Sequence, residues 1–167
     1  MSALGKVSQE YGSDALHISG YASLFAQRDL SGDIVRRGAF AASLIKLAGD
    51  PLPMLFGHET SEPIGVWTRL IEDAKGLFVT GDLYLGDART DRYARLVRCG
   101  AVSGLSIGYR ALRARPTTSG GRELLDLDLW EASIAAFPIL RLRPRRGQGR
   151  VPVGHRGVGN MREHGAG

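Results

Sequence analysis

Apolar and polar positions along this chain recur with two periods, one of two residues and one near 3.6, and they divide it into strands and two helices. Residues 15–26, ALHISGYASLFA, read as a strand broken at Gly20. RDLSGD (28–33) is a turn by composition. In GAFAASLIKLAG (38–49), Phe40, Leu44 and Leu47 fall at i, i+4 and i+7, which predicts a short helix stopped at Gly49 with Pro51 beyond. PMLFGH (53–58) is a short apolar run that, as a strand, places Met54, Phe56 and His58 on one face. PIGVWTRLI (63–71) and GLFVTGDLYL (76–85) predict two strands joined by the turn 72–75. Val79, Gly81 and Leu83 alternate with Thr80, Asp82 and Tyr84, the pattern of an antiparallel pair with one wet face. DARTDRYARLVR (87–98) predicts a helix capped by Asp87, with Gly100 just past its end and an apolar stripe of Tyr93, Leu96 and Val97.

The stretch AVSGLSIGYR (101–110) reads as a strand with Leu105, Ile107 and Tyr109 on a core face. Ser106 lies on the other face between Gly104 and Gly108, where the missing side chains leave room for a ligand or another backbone. That arrangement suits a serine nucleophile receiving an extended peptide, but by itself the stretch reads more readily as a half-buried strand with glycines at a bulge. After a polar loop, RPTTSGG (115–121), Leu125, Leu127 and Leu129 alternate with Asp126 and Asp128. The apolar face then switches to Trp130, Ala132, Ile134 and Ala136, which requires a bulge or sharp twist near Trp130–Glu131 and leaves Glu131 on the face of the three leucines. A carboxylate placed there wants a partner, either a histidine or an arginine.

At 167 residues the chain suits one domain with a real core, and it has no apolar run of the length that spans a membrane. The start, MSALGKVSQEYGSD, lacks a basic-then-apolar signal pattern. The lone cysteine, Cys99, excludes an internal disulfide and fits a reducing compartment. No cysteine–histidine cluster has zinc spacing, so neither a metal nor a cofactor is expected. The net charge is +5, but residues 141–167 carry seven arginines against Glu163, a net of +6 that leaves −1 for residues 1–140. Residues 1–140 are therefore read as the domain, and 141–167 as a basic, glycine-rich, disordered tail. Such a tail is either solvated or an electrostatic handle; nucleic acid bound there would be held by its backbone, because no aromatics interleave the arginines.

Several single residues carry chemistry without a supporting pattern. His17 has apolar neighbours and reads as structural. Asp29 and Asp33 hint at a cation site but lack the rest of a calcium loop. Arg89, Arg92, Arg95 and Arg98 trace a solvated helix face, and no pattern around Cys99 marks it as a nucleophile. His58, a lone histidine at a strand end, reads either as structural or, near a nucleophile, as a general base. No G-x-S-x-G elbow is present, which disfavours an α/β-hydrolase.

Taken in order, GYASLF (20–25), DIVRRGAF (33–40), MLFGHE (54–59), PIGVW (63–67), KGLFVTGDL (75–83), GAVSGLSIGY (100–109) and LWEASIAAFP (129–138) resemble the prohead (capsid-maturation) proteases of tailed phages and gene transfer agents, which are distantly like the assemblin proteases of herpesviruses. The matching stretches cover about 120 of the 167 residues. The resemblance implies a serine endopeptidase with His58 as catalytic histidine, Ser106 as nucleophile and Glu131 as the acid of a triad. It also implies capsid protein or its scaffold segment as substrate, self-cleavage, a homodimer, and action inside the assembling prohead in the bacterial cytoplasm. One departure stands out: Pro138 runs directly into ILRLRPRRGQGR, where family members commonly continue with a small, regular segment, and this bears on dimer formation and self-cleavage.

The expected architecture is mainly β with flanking helices (α+β), an antiparallel β-barrel like that of the herpesvirus proteases. The alternative function is a non-enzymatic capsid assembly or scaffold module that binds through the basic tail. A small nucleic-acid-binding protein is a third reading that rests on the tail and not on the domain.

Overall fold

The computed structural model describes residues 14–29, 31–118 and 120–136, together with the backbone of 140, 141, 143 and 144. In chain order the elements are β1 (Ala15–Leu24), β2 (Ile34–Val35), α1 (Ala41–Leu47), β3 (Leu52–Phe56), β4 (Gly65–Glu72), β5 (Gly76–Tyr84), α2 (Ala88–Arg98), β6 (Gly104–Pro116), β7 (Arg122–Ala135), β8 (Leu140–Arg141) and β9 (Arg143–Pro144). They form one sheet in the order β8-β6-β7-β3-β4-β5-β1-β9, with β2 attached to β7. The consecutive short strands β8 and β9 pair with β6 and β1 at the two ends of that order, so the sheet curls into a nearly closed barrel. Most neighbours are antiparallel, but β3 and β2 both run parallel to β7. The basic segment from 145 onward lies outside the described residues.

The period-two pattern carries through to burial. Ile18 of β1 and Leu77, Val79 and Leu83 of β5 point into the barrel, while Thr80, Asp82 and Tyr84 are half-exposed on its outside. Trp67 of β4 is fully buried and donates its indole N–H to the Ala132 carbonyl at 2.8 Å, tying β4 across β3 to β7. α1 lies beside β7, where the buried Ser43 hydroxyl donates to the Leu127 carbonyl at 2.6 Å, and α2 stacks Tyr93 on Phe56 at the end of β3. α2 begins where expected: the Asp87 side chain accepts the backbone N–H groups of Arg89 and Thr90. Its arginine face is solvated, with Arg92, Arg95 and Arg98 exposed and Arg89 paired with Glu62. α1 is shorter than its periodicity suggests and ends at Leu47 through Ala48, which takes the left-handed conformation one residue before Gly49.

Three expectations change. β6 runs on through 111–116, into the segment read as a polar loop, so the turn shrinks to 117–121. That extension has no buried face; it is held by its ladder to β7 and by Arg110–Asp128, Arg113–Asp126 and Arg115–Glu123 pairs, which hydropathy alone cannot reveal. The bulge does fall at Trp130: Gly108 pairs with Glu131 and Tyr109 with Leu129, leaving Trp130 as the extra residue. It does not, however, leave Glu131 with the leucines. The inserted residue puts Leu129 and Ala132 on one continuous core face, turns Trp130 to solvent at 57% exposure, and moves Glu131 to the opposite face. Ala136, expected with the apolar set, is exposed.

Candidate active site

The face that receives Glu131 is also the face of Ser106. Directly paired residues on antiparallel strands share a face, and β6 pairs Ser106 with Ser133 and Gly108 with Glu131. On the other side of β7, the parallel pairing sets Leu55 of β3 beside Ser133. Ser133 thus sits between the strand that leads to His58 and the strand that carries Ser106.

His58 reaches this face because it is not part of β3. A continued strand would put it on the core face with Met54 and Phe56, as the alternation predicts. Instead β3 ends at Phe56, and Gly57 and His58 both take left-handed backbone, at φ 61° and 65°. The two residues swing the chain back over β7, and the imidazole meets the acid: His58 Nδ1 lies 2.6 Å from Glu131 Oε1. The strand end beneath this turn is braced by Phe56, whose ring stacks on Tyr93 of α2 at 4.0 Å between centroids. The Gly57 N–H donates to the Ile134 carbonyl at 2.9 Å, so the turn is also fixed to β7.

Glu131 is 9% exposed and His58 47%, so the acid is enclosed and the imidazole faces water. The second carboxylate oxygen accepts the Ser133 hydroxyl at 2.6 Å, and the Ser133 oxygen in turn accepts the His58 backbone N–H at 3.1 Å. Gly108 explains how a carboxylate fits there. A Cβ on Gly108 would lie 2.9 Å from Glu131 Cγ and closer still to its carboxylate. The space cleared by this glycine is therefore filled by Glu131 and is not an open berth for a ligand.

Ser106 is half-buried and, among the described residues, makes no hydrogen bond to His58. Beyond Leu105, the edge of β6 away from β7 has no strand partner among the described residues, since β8 pairs with Gly104 and Leu105 only. Along that edge lies a small cavity of about 70 Å³ lined by Ser106, Ile107 and Tyr109 with Ser23, Asp29 and Asp33 opposite. Its acids are not a metal site: Asp33 bonds the Arg122 guanidinium, at 2.6 Å to Nη2, and Asp29 accepts the backbone N–H groups of Ser31 and Asp33. The bonds from Arg122 hold the Asp33 carboxyl below its ordinary range, against its burial. Burial, helped by the charges of Asp29 and Asp33, raises the Tyr109 hydroxyl above its own.

The other residues singled out in the sequence lie elsewhere. His17 pairs with Asp82 on the β1–β5 ladder, and Cys99 is exposed at the end of α2. Ser133 escaped notice, although its position two residues after Glu131 in a strand was enough to place the two on one face.

A family model described as the caudovirus prohead serine protease matches residues 4–142. The prohead protease of Enterobacteria phage HK97 is 36% identical over 122 residues, which are 71% of this chain and 54% of that protein, so the chain spans about half the length of this curated relative. Among solved structures, the capsid assembly protease of bacteriophage T4 superposes with a TM-score of 0.63 at 11% identity, covering 74% of this chain and 84% of that one, a likeness of fold. A protease of Kaposi's sarcoma-associated herpesvirus gives a TM-score of 0.48 at 15% identity, covering 75% of this chain and 61% of that chain. The match of a family model to most of the sequence, with a curated relative above one-third identity, identifies this chain as a member of the caudovirus prohead serine protease family.

Proposed function

We propose that the protein is a serine endopeptidase that cleaves capsid protein, or its scaffold segment, inside the assembling prohead. Ser106 is the nucleophile, His58 the general base and Glu131 the acid that orients it. The observation that carries this reading is the enclosed carboxylate on His58 Nδ1, on the same face of the sheet as Ser106. With Nδ1 engaged, Nε2 is the ring nitrogen left to take a proton.

In this mechanism Ser106 Oγ attacks the peptide carbonyl while its proton passes to His58 Nε2. Glu131, across Nδ1, stabilises the imidazolium that forms. The tetrahedral intermediate collapses as His58 returns the proton to the leaving amine. Water, deprotonated by the same imidazole, then releases the acyl group from Ser106. The absence of a His58–Ser106 hydrogen bond is compatible with this order, because catalytic hydrogen bonds in substrate-free enzymes are often long and tighten when substrate binds. The edge of β6 beyond Leu105, without a strand partner among the described residues, suits an extended peptide added as a further strand, with a side chain in the cavity beside Ser106.

Co-expression with the matching major capsid protein tests the reading. Wild type is expected to shorten the capsid protein at one site, seen by intact mass, and Ser106→Ala to leave it full length. Equal shortening by both would remove Ser106 as nucleophile. Particles that assemble normally with no shortening in either would favour the non-enzymatic assembly module.

A further inference from the structure

Ser133 is fully buried, and its hydroxyl is bonded at once to the acid and to the main chain of the histidine. The directions of these bonds follow from chemistry. A backbone N–H can only donate, so the Ser133 oxygen accepts from His58. The hydroxyl proton is then free for the carboxylate, which can only accept. Each oxygen of Glu131 thereby has its own partner: Oε1 meets the imidazole and Oε2 meets Ser133.

We propose that Ser133 is a positioning residue for the His58–Glu131 couple, one hydroxyl that holds the carboxylate and the left-handed histidine in register with each other. The role rests on the assignment of His58, Ser106 and Glu131 above. The geometry gives it two parts. Rotation of the Glu131 carboxylate about its last torsion would carry Oε1 away from Nδ1, and the bond at Oε2 opposes that rotation. His58 stands in a backbone region that non-glycine residues seldom occupy, and its N–H is fixed there by the same oxygen. An alanine at 133 would release both restraints and leave a buried carboxylate oxygen and the His58 N–H without their partner.

The test uses the full chain co-assembled with its capsid protein. It reads the rate of capsid cleavage and the rate at which a fluorophosphonate probe labels Ser106. In labelling, Ser106 Oγ forms the P–O bond, fluoride leaves and the hydroxyl proton passes to His58. Ser133→Ala is expected to slow both rates about 10- to 100-fold, the range for losing a hydrogen bond to a charged group. The half-saturating probe concentration should change little. Ser133→Thr, which restores the hydroxyl, should recover both rates to within about threefold of wild type. In a Glu131→Gln background, Ser133→Ala should cost a smaller fold-loss than in the wild type, because the part of its effect that passes through the carboxylate is already gone and only the bond to the His58 N–H remains to be lost. A Ser133→Ala protein at wild-type rates, beside an inactive Ser106→Ala, would overturn the positioning role and leave the triad standing. So would an equal fold-loss in the wild-type and Glu131→Gln backgrounds, a comparison that holds even where the threonine variant fails to fold. Full activity of Ser106→Ala would instead overturn the triad assignment, and the role of Ser133 with it.

Discussion

Two histidine–carboxylate pairs in this molecule have nearly the same length and very different settings. His17 Nδ1 lies 2.7 Å from Asp82 Oδ1, and His58 Nδ1 lies 2.6 Å from Glu131 Oε1. His17 and Asp82 face each other across a regular antiparallel ladder, with side chains 42% and 36% exposed. Among the described residues no other hydrogen bond reaches the Asp82 carboxylate, and no serine shares that rung. Glu131 is enclosed, sits over a glycine, and has its second oxygen held, while its histidine leaves a strand through two left-handed residues. The same two functional groups make a surface contact in one place and a candidate catalytic couple in the other. The difference is how far the surroundings remove alternatives for the acid.

Substitutions at the two pairs should separate them sharply. His58→Ala is expected to lower capsid cleavage by about 10³-fold or more. His17→Ala should leave cleavage within about twofold, since an exposed pair contributes little. Comparable losses at the two sites, measured by intact mass over time, would erase the distinction drawn here.

Gly108→Ala sharpens the comparison from the side of the acid. The new Cβ would crowd Glu131 from Cγ to the carboxylate, so this enclosed side chain must shift and can no longer meet Nδ1. Cleavage is expected to fall about 10- to 100-fold, as for loss of a charged hydrogen bond, with a lowered melting temperature because an enclosed carboxylate is displaced from its partners. Wild-type activity in this variant would show that Glu131 does not need its observed place.

Asp33 offers a third carboxylate, structural in character, that binds the start of β7 to the loop before β2 through Arg122. Its folded-state pKa is depressed, so the stability it contributes is fully present above the ordinary carboxylate value near 4 and is lost as pH falls through the lower folded value. Asp33→Asn should therefore lower the melting temperature by about 3–8 °C at neutral pH and reduce the steepness of its decline on acidification. Identical acid limbs for wild type and Asp33→Asn in a thermal-shift series would contradict this. The smallest effect is expected for His17→Ala on stability, a change in melting temperature under about 2 °C.

Much of the architecture was legible in the chain because burial in a barrel wall repeats every second residue. Val79, Gly81 and Leu83 alternate inward, Asp87 caps its helix, and the break of pattern at Trp130 marked a real bulge. The extension of β6 was not legible, since Arg110, Arg113 and Arg115 are held by cross-strand charge pairs and leave no apolar rhythm. Of the candidate site, His58, Ser106 and Glu131 could be picked out by residue type, by local pattern and by resemblance. Their common face could not be read. The alternation put His58 on the core side of a strand and Glu131 among leucines, and both placements were reversed by single backbone events, a left-handed pair at 57–58 and one inserted residue at 130.

By itself, then, the sequence determined the two helices and most of the long strands, which residues could do acid–base chemistry, and to which family the chain belongs. Those properties are local, or are carried by residue identity in order. Which side of the sheet each functional group occupies was decided only in the tertiary structure. In a strand, one residue more or fewer exchanges the two faces, and that count is settled by pairing with β6 and β3 and not within β7 alone.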